Sequence, residues 1–166
     1  MKYRWGGWVV GLAVLASCAT IGQVILPPRM SIASGRTAEL RLIGPSVQNP
    51  LGGAAIRIWA RVENPNPVGF RLAGLTGNFY LEDTRAAAVD FPLGMPLVAN
   101  QDTVIPLDIS LRFSDLPGLA DLAPRLLTRS TIGYRVDGTL RVDAGALGQP
   151  SFGPTTWLRG DLAVYR

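Results

Sequence analysis

Few residues in this sequence are equipped to do chemistry, and the missing types decide as much as those present. The chain has one cysteine, Cys18, and no histidine. A lone cysteine makes no disulfide within the chain. Without histidine, the commonest general base and the commonest metal ligand are both absent, and the serines have no imidazole to activate them. The acid pair Glu82-Asp83 and the Asp137-Gly138 step fall at strand ends, where such residues mark turns. The glycine-rich stretch Gly145–Gly153 lacks the lysine of a phosphate-binding loop and precedes no helix. No catalytic residue, metal site or cofactor is expected. The thiol of Cys18 and the side chains of Asn64 and Asn66 are what remain to be explained.

Cys18 ends a leader. Met1–Arg4 carries Lys2 and Arg4, and an uncharged apolar run follows from Trp5, the charged-then-apolar order of a secretory signal. The run closes on Leu15-Ala16-Ser17-Cys18, which resembles the bacterial lipobox: a branched apolar residue, two small residues, then cysteine. Small residues let the backbone enter a peptidase cleft. The thiol becomes a thioether to diacylglycerol before cleavage leaves it N-terminal. Residues 1–17 are therefore expected to be a lipoprotein signal peptide, with Cys18 the lipid-bearing end of the mature chain. The alternative is an uncleaved anchor, because residues 5–26 are uncharged and long enough, at about 20 residues or more, to span a bilayer. Both place the rest of the chain outside the cytoplasm, since basic flanks stay inside. Ala19 is not the aspartate that resembles an inner-membrane retention signal, which in a two-membrane bacterium implies the outer membrane, facing the periplasm. The membrane is the expected partner, through the N-terminal lipid.

The rest of the chain must form what that anchor carries. At 166 residues there is room for one domain. Apolar residues make up 48% and charged ones 17%, a globular rather than a disordered balance. Two of the 16 basic residues, Lys2 and Arg4, lie in the leader, and the other 14 are arginines set against 12 acids. They are spread along the chain, which indicates solvated strand faces rather than a nucleic-acid footprint. With 19 Gly and 13 Pro, turns are frequent, and short strands are favoured over long helices.

Residues 18–36 are read as the lipidated N-terminus and a tether stiffened by Pro27-Pro28, and residues 37–166 as the domain. Along it, apolar and polar residues alternate. Ile56, Ile58, Ala60 and Val62 share one face; Leu75, Gly77, Phe79 and Leu81 share another. Ile105, Leu107, Ile109, Leu111 and Phe113 repeat the pattern, as do Ile132, Tyr134, Val136, Leu140 and Val142, and Leu158, Leu162 and Val164 close the chain. Half-apolar strands suit antiparallel sheets with one wet face, and two such sheets stack into a sandwich. Trp59 and Trp157 sit on the nominally polar registers, where they either cover a sheet face or form an exposed apolar patch. Ser114 is placed to cap a short helix with Leu116, Leu119, Ala120 and Ala123 on one face, and Pro124 should break or restart it.

The strand Ile56–Val62 runs into Glu63-Asn64-Pro65-Asn66-Pro67-Val68-Gly69-Phe70. Two X-Pro steps hold Asn64 and Asn66 extended, and asparagine side chains bond nearby backbone groups to close turns. Gly69 is expected to permit the reversal into the next strand. Here the chain resembles the late embryogenesis abundant group 2 family, whose core is the water stress and hypersensitive response (WHy) domain. The resemblance runs from about Ala38 to Leu162. It rests on Asn64-Pro65-Asn66 after an alternating strand, Leu72-Ala73-Gly74-Leu75 opening the next, Leu107–Phe113 before the single helix, and Tyr134-Arg135-Val136-Asp137-Gly138. It implies an all-β, antiparallel β-sandwich of about seven strands with one short helix, like fibronectin type III or immunoglobulin domains. It also implies an association with desiccation, cold and osmotic stress. A fold family does not by itself establish function. The expected function is non-catalytic protection of envelope proteins or membrane. A module binding lipid or another apolar ligand, and a scaffold for an envelope complex, are the alternatives.

Overall fold

Ile56, Ile58, Ala60 and Val62 lie buried in a row on β3 (Gly53–Glu63), with Arg57, Arg61 and Glu63 on the wet side. The computed structural model describes residues 25–115 and 123–165. Around β3 stand β1 (Arg29–Ile32), β2 (Glu39–Ile43), β4 (Phe70–Leu81), β5 (Thr84–Phe91), β6 (Met95–Leu97), β7 (Asp102–Arg112), β8 (Thr131–Asp143) and β9 (Ser151–Tyr165), with one helix, α1 (Ala123–Thr128). Leu75, Phe79 and Leu81 on β4, Ile105, Leu107, Ile109 and Leu111 on β7, and Ile132, Val136, Leu140 and Val142 on β8 are all buried. Alternation in the sequence is thus inside-outside alternation in the fold.

The chain is mostly β, as expected, but the described residues form nine strands rather than about seven, and these belong to one hydrogen-bonded sheet. The sheet is mixed, not purely antiparallel: β2 pairs parallel with the end of β9 over Glu39–Arg41. The extra strands are short. Four residues form β1 and three form β6, too few for alternation to register. Arg29–Ile32, within the segment read as tether, is a sheet strand paired with Glu63–Ala60.

Along β3, β7 covers one edge from Gly53 to Glu63, while β1 and β2 share the other in sequence. Along β9, β8 covers one edge, and the other is bonded only at Ala163–Tyr165, to β2. Between β1 and the first half of β9 the sheet is therefore open. Residues of β3 and β7 share a single apolar core with those of β4 and β8.

Ser114 falls in a 3-10 turn, Phe113–Asp115. Pro124 sits in the first turn of α1, where a missing N–H costs nothing. Leu116, Leu119 and Ala120 lie outside the described residues, as do the leader and its Leu15-Ala16-Ser17-Cys18. No helix among the described residues is long and apolar enough to cross a membrane.

Candidate functional site

Asn64 and Asn66 leave the end of β3 with 0% and 3% exposure, the polar residues buried with the core among those described. A buried amide must be hydrogen-bonded to be tolerated, and both are. The Asn64 Oδ1 accepts the Asn66 main-chain N–H at 2.9 Å and the Asn66 Nδ2 at 3.0 Å. The Asn64 Nδ2 donates to the carbonyl of Val68 at 2.9 Å, and more weakly to those of Val98 and Leu97 at 3.2 and 3.4 Å. One side chain thus ties its own loop to the β6–β7 connection. The main chain reinforces this: Asn64 N–H donates to Gln101, and Asn100 N–H to the Asn66 carbonyl.

Asn66 reaches further. Its Oδ1 accepts the Leu26 N–H at 2.8 Å and its Nδ2 donates to the Leu26 carbonyl at 2.9 Å. Leu26 precedes Pro27, which holds it extended, so its N–H and C=O stand ready for a side-chain amide as for a neighbouring strand. The sequence signal for this partner is the Leu26-Pro27-Pro28 step, which alone does not say what it meets. Gly69 does not supply a left-handed turn, since its φ is ordinary. A Cβ there would stand 3.3 Å from the Leu97 carbonyl, so its lack of a side chain lets the two connections close together.

A groove of about 580 Å³ opens beside this clamp, between Leu26–Arg29 and the start of β9. Phe152 and Trp157 line one wall, Pro27 and Pro28 the other, and Pro65 the end. The Trp157 ring is half-buried and donates its Nε1–H to the Gly138 carbonyl at 2.8 Å. Trp59, also on a nominally polar register, is no apolar patch. It is half-buried under the guanidinium of Arg36, 4.1 Å from the ring centre, with Arg57 at 5.9 Å.

At the opposite end lies a polar recess of about 400 Å³ with Glu82, Asp83, Arg135, Arg159 and Asp161. Asp83 and Asp137 both hold Arg135, at 2.8 and 2.9 Å, and Glu82 accepts the Gly133 N–H. Glu82 and Asp83 form the β4–β5 turn with positive φ. Glu82 and Asp83 are thus engaged with backbone and arginine, and no cluster of three or more metal-ligating side chains occurs among the described residues. Tyr134 backs the recess. Burial, with the nearby Asp161 carboxylate adding to it, pushes its phenol up to about 12.

Arginines on the outer faces pair with acids across the strands: Arg57 with Asp108 at 2.6 Å, Arg61 with Asp102 at 3.1 Å, Arg29 with Glu63 at 3.4 Å. Exposed pairs of this kind contribute little to stability.

The family model described as late embryogenesis abundant protein matches residues 60–154, a span that contains the Asn64-Pro65-Asn66 clamp. Two solved structures are similar. A solution structure of an Arabidopsis thaliana protein superposes with a TM-score of 0.51 at 16% identity, covering 80% of this chain and 83% of that one. A solution structure described as a late embryogenesis abundant (LEA) protein superposes with a TM-score of 0.53 at 18% identity, covering 84% and 72%. At these identities the likeness is one of fold. No curated protein matches the chain.

Proposed function

Because the chain belongs to the late embryogenesis abundant protein family, we propose that it is a membrane-anchored domain protecting envelope proteins or the membrane itself during drying or osmotic stress, by non-catalytic binding. The observation that carries this reading is the family match across the clamp. The contacts of Asp83 and Asp137 with Arg135, and of Glu82 with the Gly133 N–H, fit that reading. The anchor belongs to the same reading: lipid on Cys18 after removal of residues 1–17, carrying the domain whose sheet begins at β1, in the outer membrane facing the periplasm where there are two membranes. So does the sandwich form, with β3 and β7 packed across one core from β4 and β8.

The apolar groove favours a second reading, a module that holds lipid or another apolar ligand. Its opening lies at the strand edge, outside the core. Intact mass spectrometry of the protein purified from its native membrane separates the two. The protective reading expects a chain starting at Cys18, heavier by its acyl groups and free of other ligand. A stoichiometric apolar molecule retained with the chain would move the ligand carrier ahead, and an unprocessed N-terminus would remove the lipid anchor.

A further inference from the structure

The strand registers set most connections at one of two ends of the sheet. Leu26, the Asn64–Gly69 loop, the β6–β7 connection at Val98 and the β8–β9 connection at Leu147 lie at one end, since β1, β7 and β9 start there and β3 and β8 finish there. The β2–β3 loop and the β4–β5 turn lie at the other. The described chain enters at the first end, and Leu26 is fixed there by Asn66 through both of its backbone groups. That contact shortens the tether. Only residues 19–25 separate Cys18 from the clamp, so Cys18 lies at most roughly 28 Å from Leu26 at about 3.5 Å per residue step. If residues 5–26 are instead an uncleaved anchor, the clamp lies at the bilayer surface itself.

That same end exposes apolar side chains on three separate segments: Leu26 at 50%, Val98 at 56% and Leu147 at 46%. Arg71 and Arg141 stand at the same end, opposite Asp143 and Ser151 in register, and make no ion pair among the described residues. Apolar tips and arginines at one end match the layered chemistry of an anionic bilayer surface, acyl chains below and phosphates above. The chain carries its own counterpart to this surface within tether reach.

We propose that the clamp between Asn66 and Leu26 seats this end of the domain on the phospholipid surface, with Leu26, Val98 and Leu147 at the interface and Arg71 and Arg141 toward the phosphates. The anchor then does more than tether: it fixes which end meets the membrane and leaves the opposite end free for clients. This rests on the anchored reading above.

The test uses the full chain in vesicles of phosphatidylethanolamine and phosphatidylglycerol carrying a diazirine-bearing phosphatidylglycerol. After irradiation, peptides crosslinked to lipid are mapped by mass spectrometry, and vesicle flotation is scored in the same sample. Crosslinks at the peptides holding Leu26, Val98 and Leu147, with the β2–β3 loop around Val47 unlabelled, are expected. Val47 is the control because it is 100% exposed at the far end. Val98→Asp with Leu147→Asp, both surface changes, should cut labelling of their peptides about ten-fold, while labelling before residue 25 and flotation persist. Flotation with labels confined to the first 24 residues, or equal labelling around Val47, would overturn the seating and leave the anchor standing. A chain that does not float would overturn both.

Discussion

The side-chain amide of Asn66 holds Leu26 by both of its backbone groups, accepting the N–H at 2.8 Å and donating to the carbonyl at 2.9 Å. Forty positions apart in the sequence, the two residues behave as one rung of a sheet, with a side chain standing in for a strand.

Loss of that rung should be structural. Asn66→Ala leaves the part-buried N–H and C=O of Leu26 without their side-chain partner and takes one of two donors from the Asn64 Oδ1, at a cost of about 1–3 kcal/mol. Urea melts of the protein check it: the midpoint should fall with the slope unchanged. An unchanged midpoint would mean that the asparagine is held for a ligand and not for the fold.

Asn64 and Asn66 should act as a unit, because the Asn64 Oδ1 accepts both the main-chain and side-chain N–H of Asn66. A double-mutant cycle with alanine at both positions should give a coupling of about 0.5–3 kcal/mol. Additive losses would separate the two roles.

Gly77 and Gly138 face each other across β4 and β8. A Cβ on Gly77 would fall on the Asp137 carbonyl, and one on Gly138 on that of Thr76. Backbone cannot step aside as a side chain can, so Gly138→Ala should destabilise by about 2–3 kcal/mol. Thermal melts of the variant would show it.

The alkaline limb of stability should belong to Tyr134. Its phenol is buried, its hydroxyl finds no protein partner among the described residues, and its pKa is raised from 10.0 to about 12. A group whose pKa is raised by folding contributes stability that is present below its unfolded value and lost as pH rises through the folded one. Stability should therefore decline between pH 10 and about 12, by about 2–3 kcal/mol in all. Tyr134→Phe should remove this part of the decline and cost little at neutral pH, which melts across that range would show.

The strands that carry the core were legible in the sequence because alternation is written residue by residue: Ile56, Ile58, Ala60 and Val62 needed no partner to be read as one buried face. The turn after them was legible from Asn64-Pro65-Asn66, because proline and asparagine act locally. What the side chains meet was not. Leu26 and Asn66 are brought together by the return of the whole chain, and nothing near either residue encodes the other. The strand β1 was hidden for a similar reason: four residues after Pro27-Pro28 carry no period, and they become a strand only because the free edge of β3 accepts them. The parallel contact of β2 with β9 likewise joins segments from opposite ends of the domain. Trp59 was readable as an outward residue but not as one covered by Arg36, since that cover comes from a different segment.

Recovered activity of a labile enzyme after drying tests the protective function most directly. The enzyme is dried with increasing amounts of the protein on vesicles, beside an equal mass of an unrelated folded protein on the same vesicles. Non-catalytic protection predicts recovery that rises with the amount of this protein and exceeds the control throughout, without loss in any single-residue surface variant. Equal recovery with the two proteins would contradict it.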